Sequence, residues 1–459
     1  MVVQKFGGTS VADPEAIRRL IEIVRAARTR DGRGPAVVVS AMSRVTDGLL
    51  GVADSAGASH LAEALSRTQS IRERHIATAR ELVSGRALDP LVSQINAGLD
   101  DLTDVIKALA VLREVSPRTL DVVAALGELL SSRIVAAALT SAGVDAEWVD
   151  ARQVIVTNNE HTRATPLGKE TNDRLRSTVG PILDSGRVAV LGGFVGATLA
   201  GHTTTLGRGG SDYSGALVGA GVEASEIQIW TDVDGMLSAD PRVIKSAKLV
   251  DHLSFAEAAE LAYFGAKVLH PSTILPAVER NIPVRILNSW KPAAAGTLIT
   301  GAGSSTRKGL TGLASKRDVA VVDITSTRML AAYGFLRQVF EVFERFTTAV
   351  DMVTTSEVSV SVTVDDIRHL DEIEEALSEF ASVSVERNMS LLCAVGDVLQ
   401  HEPEMAARVV GVFEEVPLRM ISQAASRRNI TVVLRQGDLP HAMERLHEEF
   451  FTRVPARRA

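Results

Sequence analysis

The strand-like opening Val2-Val3-Gln4-Lys5-Phe6 runs straight into Gly7-Gly8-Thr9-Ser10, and a helix begins at Pro14. Glycines at such a turn let backbone approach a ligand closely, and amides exposed there favour an anion. Lys5 at the strand end adds a point charge. The segment therefore reads as a phosphate cradle, weighed against a purely structural turn. A second loop, Thr203-Thr204-Thr205-Leu206-Gly207-Arg208-Gly209-Gly210-Ser211-Asp212-Tyr213-Ser214-Gly215, sets one arginine among glycines ahead of a helix of small residues. Its bland reading is a turn with a helix cap at Ser211 or Asp212. Arg208 is also suited to grip a carboxylate through two parallel hydrogen bonds, which a plain turn does not need. The sequence has no Gly-x-x-x-x-Gly-Lys-Ser/Thr motif and no Gly-x-Gly-x-x-Gly after a strand, which excludes a P-loop and counts against dinucleotide binding.

These loops need a rigid frame. Over the first 300 residues short β-rich runs alternate with helical stretches, the pattern of an α/β domain with a largely parallel sheet sandwiched by helices. Ala36-Val37-Val38-Val39-Ser40 and Val188-Ala189-Val190-Leu191-Gly192-Gly193 are apolar runs fit for strands buried on both faces. Ile227 to Asp232 is a further strand ending in polar residues, and in open α/β sheets ligands gather beyond such carboxyl ends. The stretch from Leu61 to Arg133 reads as helix throughout.

Residues 301–317 read as a linker, and beyond it two successive βαββα patterns predict two small ferredoxin-like modules. The divisions expected are a catalytic domain over 1–300, the linker, a module over 318–386 and a second over 387–459, with interleaving of the two modules left open. Modules of this kind tend to pair.

The chain has 459 residues, 46% hydrophobic and 23% charged, with a formal charge of −7. That balance argues against nucleic-acid binding, which wants a basic face. Cys393 is the only cysteine and sits in an apolar strand-like run, so it reads as a buried thiol. No uninterrupted apolar stretch reaches the length of a membrane span. The opening goes straight into a strand, leaving no room for a targeting peptide, so a cytoplasmic setting is expected.

The two loops, with Trp230-Thr231-Asp232-Val233-Asp234-Gly235-Met236-Leu237-Ser238-Ala239-Asp240-Pro241-Arg242 and Phe264-Gly265-Ala266-Lys267-Val268-Leu269-His270-Pro271, resemble the aspartate kinases of the amino-acid kinase superfamily. The resemblance covers the whole chain, because the C-terminal modules look like the ACT domains through which such kinases are feedback-regulated. It implies ATP-dependent phosphorylation of the side-chain carboxylate of L-aspartate, with Mg²⁺ on the ATP phosphates and no metal held by the protein itself. By the same resemblance Lys5 and Lys267 flank the transferring phosphoryl group and Asp212 holds Lys5 in an ion pair. Arg208 takes the α-carboxylate of aspartate and Glu128 its α-ammonium, with Ser40, Thr46 and Ser211 on the substrate side. Gly7, Gly8, Thr231, Asp232, Leu237, Arg242 and Val268 fall to the nucleotide. Leu237 departs from the family, where many members carry a tyrosine.

Met329-Leu330-Ala331-Ala332-Tyr333-Gly334-Phe335-Leu336 and Ala349 to Glu357 look like the lysine-binding elements of lysine-sensitive members. The resemblance gives Met329, Phe335, Leu336, Asp351, Ser356 and Glu357 to the effector, with Asp351 and Glu357 suited to ammonium groups. Ala332 and Ala349 stand where such members often have serine. His60, His75 and His161 read as isolated surface or capping residues, and His270 as structural. The expected protein is a homodimer or larger, joined through the ACT modules. Two alternatives stand beside it: an amino-acid-sensing regulator with an inactive kinase domain, and a kinase of another small acid.

Overall fold

A computed structural model describes residues 1–31, 33–265, 269, 271–303, 309–326, 333–396, 399, 403–423 and 427–452. The chain begins β1 (Val2–Phe6), α1 (Pro14–Asp31), β2 (Ala36–Val39), α2 (Val45–Gly57), α3 (Leu61–Leu82), α4 (Leu88–Leu112), α5 (Pro117–Ser141) and β3 (Ala146–Val149). It continues α6 (Ala151–Val154), β4 (Val156–Thr157), α7 (Gly168–Asp184), β5 (Val188–Gly192), β6 (Val195–Thr198), β7 (Thr203–Thr205), α8 (Gly210–Gly221) and β8 (Glu226–Thr231). Then come β9 (His252–Ser254), α9 (Phe255–Tyr263), α10 (Leu275–Glu279), β10 (Val284–Asn288) and β11 (Thr297–Thr300). The last part is β12 (Gly312–Thr325), α11 (Phe335–Arg345), β13 (Met352–Thr355), β14 (Ser359–Val364), α12 (Leu370–Ser378), β15 (Ser382–Val395), α13 (Pro403–Gly411), β16 (Leu418–Ser422), β17 (Asn429–Arg435) and α14 (Leu439–His447). Two compact units result, Met1–Met236 with Leu269–Gly301, and Leu237–Val268 with Ala302–Ala459.

The first unit is the expected sheet between helices, with strand order β3-β5-β2-β1-β8-β10-β11. All neighbours are parallel except β11, which runs antiparallel to β10. Side chains alternate across a strand, so Phe6 and Lys5 face opposite ways. Phe6, Val37, Val39, Val188 and Val190 join the apolar core with α1 to α5. Lys5 faces α8, where a Cβ on Gly215 would lie 3.2 Å from its own Cβ. The expected single helix from Leu61 to Arg133 is instead three helices. Its first break falls at Gly85, held at φ 67°. The second falls before Pro117, at Arg113 (φ 56°), with Ser116 capping the amide of Thr119. α5 is long and apolar enough to cross a membrane, yet most of it is buried against α2, α3, α4 and β5.

The second unit contains a six-stranded antiparallel sheet, β13-β14-β12-β15-β17-β16. Sequence pattern predicted separate strands at Val383–Val385 and Leu391–Val395; they are one continuous 14-residue strand, β15. β12 is equally long and pairs along β15, and two apolar cores form on this shared pair. One takes Ala320, Val322, Ile324, α11, β14 and α12; the other takes Leu313, Leu392, Ala394, α13, β17 and α14. Cys393 is buried in β15, and burial pushes its thiol up.

His75, expected at the surface, is buried in α3 with Nδ1 2.7 Å from the Ile71 carbonyl oxygen. Burial pulls its pKa down to about 4 from 6.5. The unfolded chain thus binds a proton that the folded one refuses, and stability should fall as pH drops from about 6.5 toward 4. The loss approaches roughly 3 kcal/mol at full shift. In denaturant titrations across that range, His75→Gln should show a flatter stability profile than the parent.

Candidate active site

The register of the parallel strands places their carboxyl ends together. Phe6 pairs with Val39 and Trp230, and Val39 pairs with Gly192. The next residues, Gly7, Ser40, Thr231 and Gly193, therefore emerge side by side. The amide of Gly7 donates to the Trp230 carbonyl at 3.0 Å, Ser40 to Phe6 at 3.0 Å and Gly193 to Val39 at 2.8 Å. Chain order reverses at β1, between β2 and β8, which is where an open α/β sheet leaves a crevice.

The crevice is a cavity of about 940 Å³. Lys5, Gly7, Gly8, Ser40, Thr46, Glu128, Arg208, Ser211, Asp212, Thr231 and Asp232 all line it. Gly8–Val11 forms a short 3-10 turn, and a Cβ on Gly8 would stand 3.2 Å from the Ala41 carbonyl oxygen. Lys5 is nearly buried and its ammonium is 2.7 Å from Asp212 Oδ1. Asp212 and Gly215 are three residues apart on α8 and share a face. The glycine admits the lysine stem while the aspartate meets its head. The cap of α8 is Gly209, at φ 73°, rather than Ser211 or Asp212, since only a left-handed residue turns the loop into this helix.

Glu128 is buried on α5 and faces the cavity, 3% exposed, with Oε2 lacking a partner among the described residues. Burial pushes its pKa up to about 8, opposed by a backbone hydrogen bond at Ala41 and by the charge on Lys5. α5 is seated close to the strand ends. A Cβ on Gly127 would lie 2.9 Å from the Ala41 Cβ, and Ser131 Oγ donates to the Ser40 carbonyl at 2.8 Å. Arg208 is exposed at the rim with no carboxylate partner among the described residues. Such an arrangement suits a ligand carrying both an ammonium and a carboxylate, set beside a cationic anion cradle.

The structure adds residues that sequence pattern did not single out. Asp121, about two helical turns before Glu128 on α5, is wholly buried. Its carboxylate accepts from Thr205 Oγ1 at 2.5 Å and from the Thr162 amide at 3.0 Å, and lies 2.6 Å from His161 Nδ1. His161 is therefore not isolated. This carboxylate ties the helix of Glu128 to the strand that leads into Arg208, over a sequence separation that no local pattern reveals. Arg44, held at φ 66°, adds a further cation to the lining. Leu237 and Arg242 belong to the second unit, where Arg242 forks onto Asp240 at 2.7 Å and 3.0 Å. Lys267, Val268, His270, Met329 and Ala332 lie outside the described residues.

Residues 1–288 match the model of the amino acid kinase family. The chain belongs to the amino acid kinase family. Residues 392–450 match an ACT domain. Among curated relatives, aspartokinase 1 of Arabidopsis thaliana (chloroplastic) is 37% identical, the match covering 98% of this chain and 80% of that protein. Escherichia coli aspartokinase III in complex with lysine and aspartate, in its T-state, is 35% identical with a TM-score of 0.82. That match covers 98% of this chain and 99% of the other. The same enzyme with aspartate and ADP, in its R-state, gives 0.83 at 35% identity, covering 98% and 100%.

Asp121→Ala would leave three donors without their acceptor, the Thr205 hydroxyl fully buried among them, at a cost of roughly 2–3 kcal/mol. The denaturation midpoint of the variant should drop accordingly, and Asp121→Asn, which keeps an acceptor oxygen, should lose less.

Proposed function

We infer that this chain is an aspartate kinase, transferring the γ-phosphoryl group of ATP to the side-chain carboxylate of L-aspartate to give 4-phospho-L-aspartate and ADP. This is the first step toward lysine, threonine and methionine. The observation that carries the reading is the single cavity in which the Lys5–Asp212 pair, the buried Glu128 and the free guanidinium of Arg208 converge.

A carboxylate is ionised at neutral pH and needs no general base. The barrier is the approach of one anion to another, so positioning and positive charge must lower it. Arg208 grips the α-carboxylate and Glu128 the α-ammonium, with Ser40, Thr46 and Ser211 as further polar contacts, leaving the side-chain carboxylate free. One of its oxygens forms a bond to the γ-phosphorus as the bond to the β,γ-bridging oxygen breaks, and ADP leaves with that electron pair. Lys5, aimed by Asp212, offsets the charge that builds on the phosphoryl oxygens. Gly7 and Gly8 let backbone amides approach the phosphates, and Thr231 and Asp232 adjoin the nucleotide. The family resemblance further assigns Lys267 to the phosphoryl group and Leu237, Arg242 and Val268 to the nucleotide. Mg²⁺ on the ATP phosphates supplies charge neutralisation. Among the described residues no three metal-binding side chains converge. The cavity carboxylates Asp47, Asp212 and Asp232 suit the one or two contacts that such an ion takes from protein.

The catalytic domain is assigned to 1–300; the linker expected over 301–317 is cut short by β12, which starts at Gly312, and the ACT modules expected over 318–386 and 387–459 are built on the shared strands β12 and β15. Lysine is the effector assigned to the first module, with Phe335, Leu336, Asp351, Ser356, Glu357 and, by the family resemblance, Met329 as contacts. Asp351 and Glu357 lie beyond opposite ends of β13, Glu357 in the turn that leads to β14. β13 is also an edge strand with Val353, Thr354 and Thr355 exposed. An edge of this kind is a template for pairing with a second copy, which supports a homodimer or larger assembled through these modules.

Mg-ATP with L-aspartate should yield an acyl phosphate trapped by hydroxylamine; turnover of glutamate in place of aspartate, or of neither, refutes the assignment. Lys5→Ala should lower kcat roughly a hundredfold or more. Bound ammonium stabilises ionised Glu128, so below pH 8 aspartate must displace a proton to bind. KM for aspartate should therefore fall as pH rises from 6 to 8, by up to about tenfold per unit, and level off above. Glu128→Gln should raise KM and flatten that slope.

A further inference from the structure

The second unit holds a charged cluster, centred on a buried aspartate, that phosphoryl transfer does not use. Lys316, on β12, places its ammonium 2.6 Å from Asp351 Oδ1 and 2.8 Å from Asp365 Oδ2. The same ammonium lies 4.4 Å from the ring centroid of Tyr263, whose hydroxyl donates to Asp351 Oδ1 at 3.1 Å. The Asp351 side chain is 2% exposed, and its Oδ2 is buried with no partner among the described residues. One ammonium thus serves two carboxylates. Burial pushes the Asp351 carboxyl up against the pull of Lys316, while the two carboxylates outweigh burial and hold Lys316 up.

Tyr263 ends α9, and the turn that follows is seated on β12. A Cβ on Gly265, at φ 127°, would fall 2.3 Å from the Ser315 carbonyl oxygen. Adjacent residues of one strand therefore fix this turn twice, Ser315 by close backbone contact and Lys316 by its cation over the Tyr263 ring. Two residues beyond Gly265 the chain reaches Lys267, to which the proposed mechanism gives a part in phosphoryl transfer.

We propose that Lys316 is a tethered stand-in for the effector's ammonium, occupying Asp351 in the effector-free protein and clamping the Tyr263–Gly265 turn until free lysine displaces it. The proposal rests on the reading that Asp351 takes an ammonium of lysine. Displacement follows from charge. A second cation brought to Asp351 Oδ1 meets Lys316 at hydrogen-bond distance, and Lys316 has another acceptor to retreat to in Asp365, which is 38% exposed. Once Lys316 moves, Tyr263 loses the cation over its ring, and the turn into the Lys267 segment loses one of its two fixings. Effector binding at the module thereby loosens the turn that ends at Gly265, two residues before Lys267 in sequence. A competitor tethered in place lowers the apparent affinity of the free ligand by the fraction of time that it occupies the site.

The test is calorimetric titration of L-lysine into the full chain, with aspartate kinase turnover followed in parallel. Lys316→Gln should bind lysine at least about tenfold more tightly than the parent, and lysine should change its KM for ATP less. Lys316→Arg, which restores a cation, should return affinity toward the parent's. Asp365→Asn removes the retreat and should weaken lysine binding several-fold, so the sign remains testable even if Lys316→Gln does not fold. Unchanged or weaker binding by Lys316→Gln, or by Asp365→Asn unchanged or tighter binding, overturns the tethered competitor while leaving lysine as effector. A parent protein that binds no lysine overturns both.

Discussion

In the proposed mechanism two anions are brought together by the positive charge of a lysine that must itself be kept in place. Lys5 is on a central strand, nearly buried, where an unpaired ammonium would be costly. Asp212 offsets that cost and also aims the charge, because both side chains leave rigid elements packed through Gly215. The parallel register of β2, β1 and β8 then brings Ser40, Gly7 and Thr231 to the same edge. Every other feature of the cavity is arranged around that fixed cation.

Glu128 works by the opposite logic. Its carboxyl is buried deeply enough to stay protonated up to about pH 8, and its Oε2 has no partner among the described residues. A buried group that is costly to ionise alone and cheap to ionise beside an ammonium is a selective receptor for that ammonium. Asp121 keeps this receptor in register with Arg208 by bonding to the loop and strand that carry the arginine toward the cavity. In the proposed mechanism the two ends of an amino acid are measured by one helix and one loop, tied together beneath the surface.

The regulatory unit repeats the theme with the partners exchanged. There a lysine of the chain meets two carboxylates, one of them proposed to take an ammonium of the effector, and Tyr263 lies against both members of that pair. The shared strands β12 and β15 explain why the two modules are hard to separate: each core needs half of both strands.

Much of this was legible in the residues themselves. The alternation of short apolar runs with helices dictated a parallel sheet, and the glycine loops with Lys5, Arg208 and Asp212 located the chemistry, because local backbone requirements leave marks in local sequence. Element boundaries were less legible where a single turn decides, as at Gly85 and Arg113, or where a strand simply continues, as in β15. The roles of Asp121, His161 and Lys316 left no mark, since their partners stand 35 to 84 positions away. Burial likewise had to come from the tertiary structure. A glutamate on a helix is usually solvated, and only packing against the strand ends raises the Glu128 pKa. Sequence alone named the charges; the fold decided which of them are paired, which are desolvated, and which are left free for a ligand.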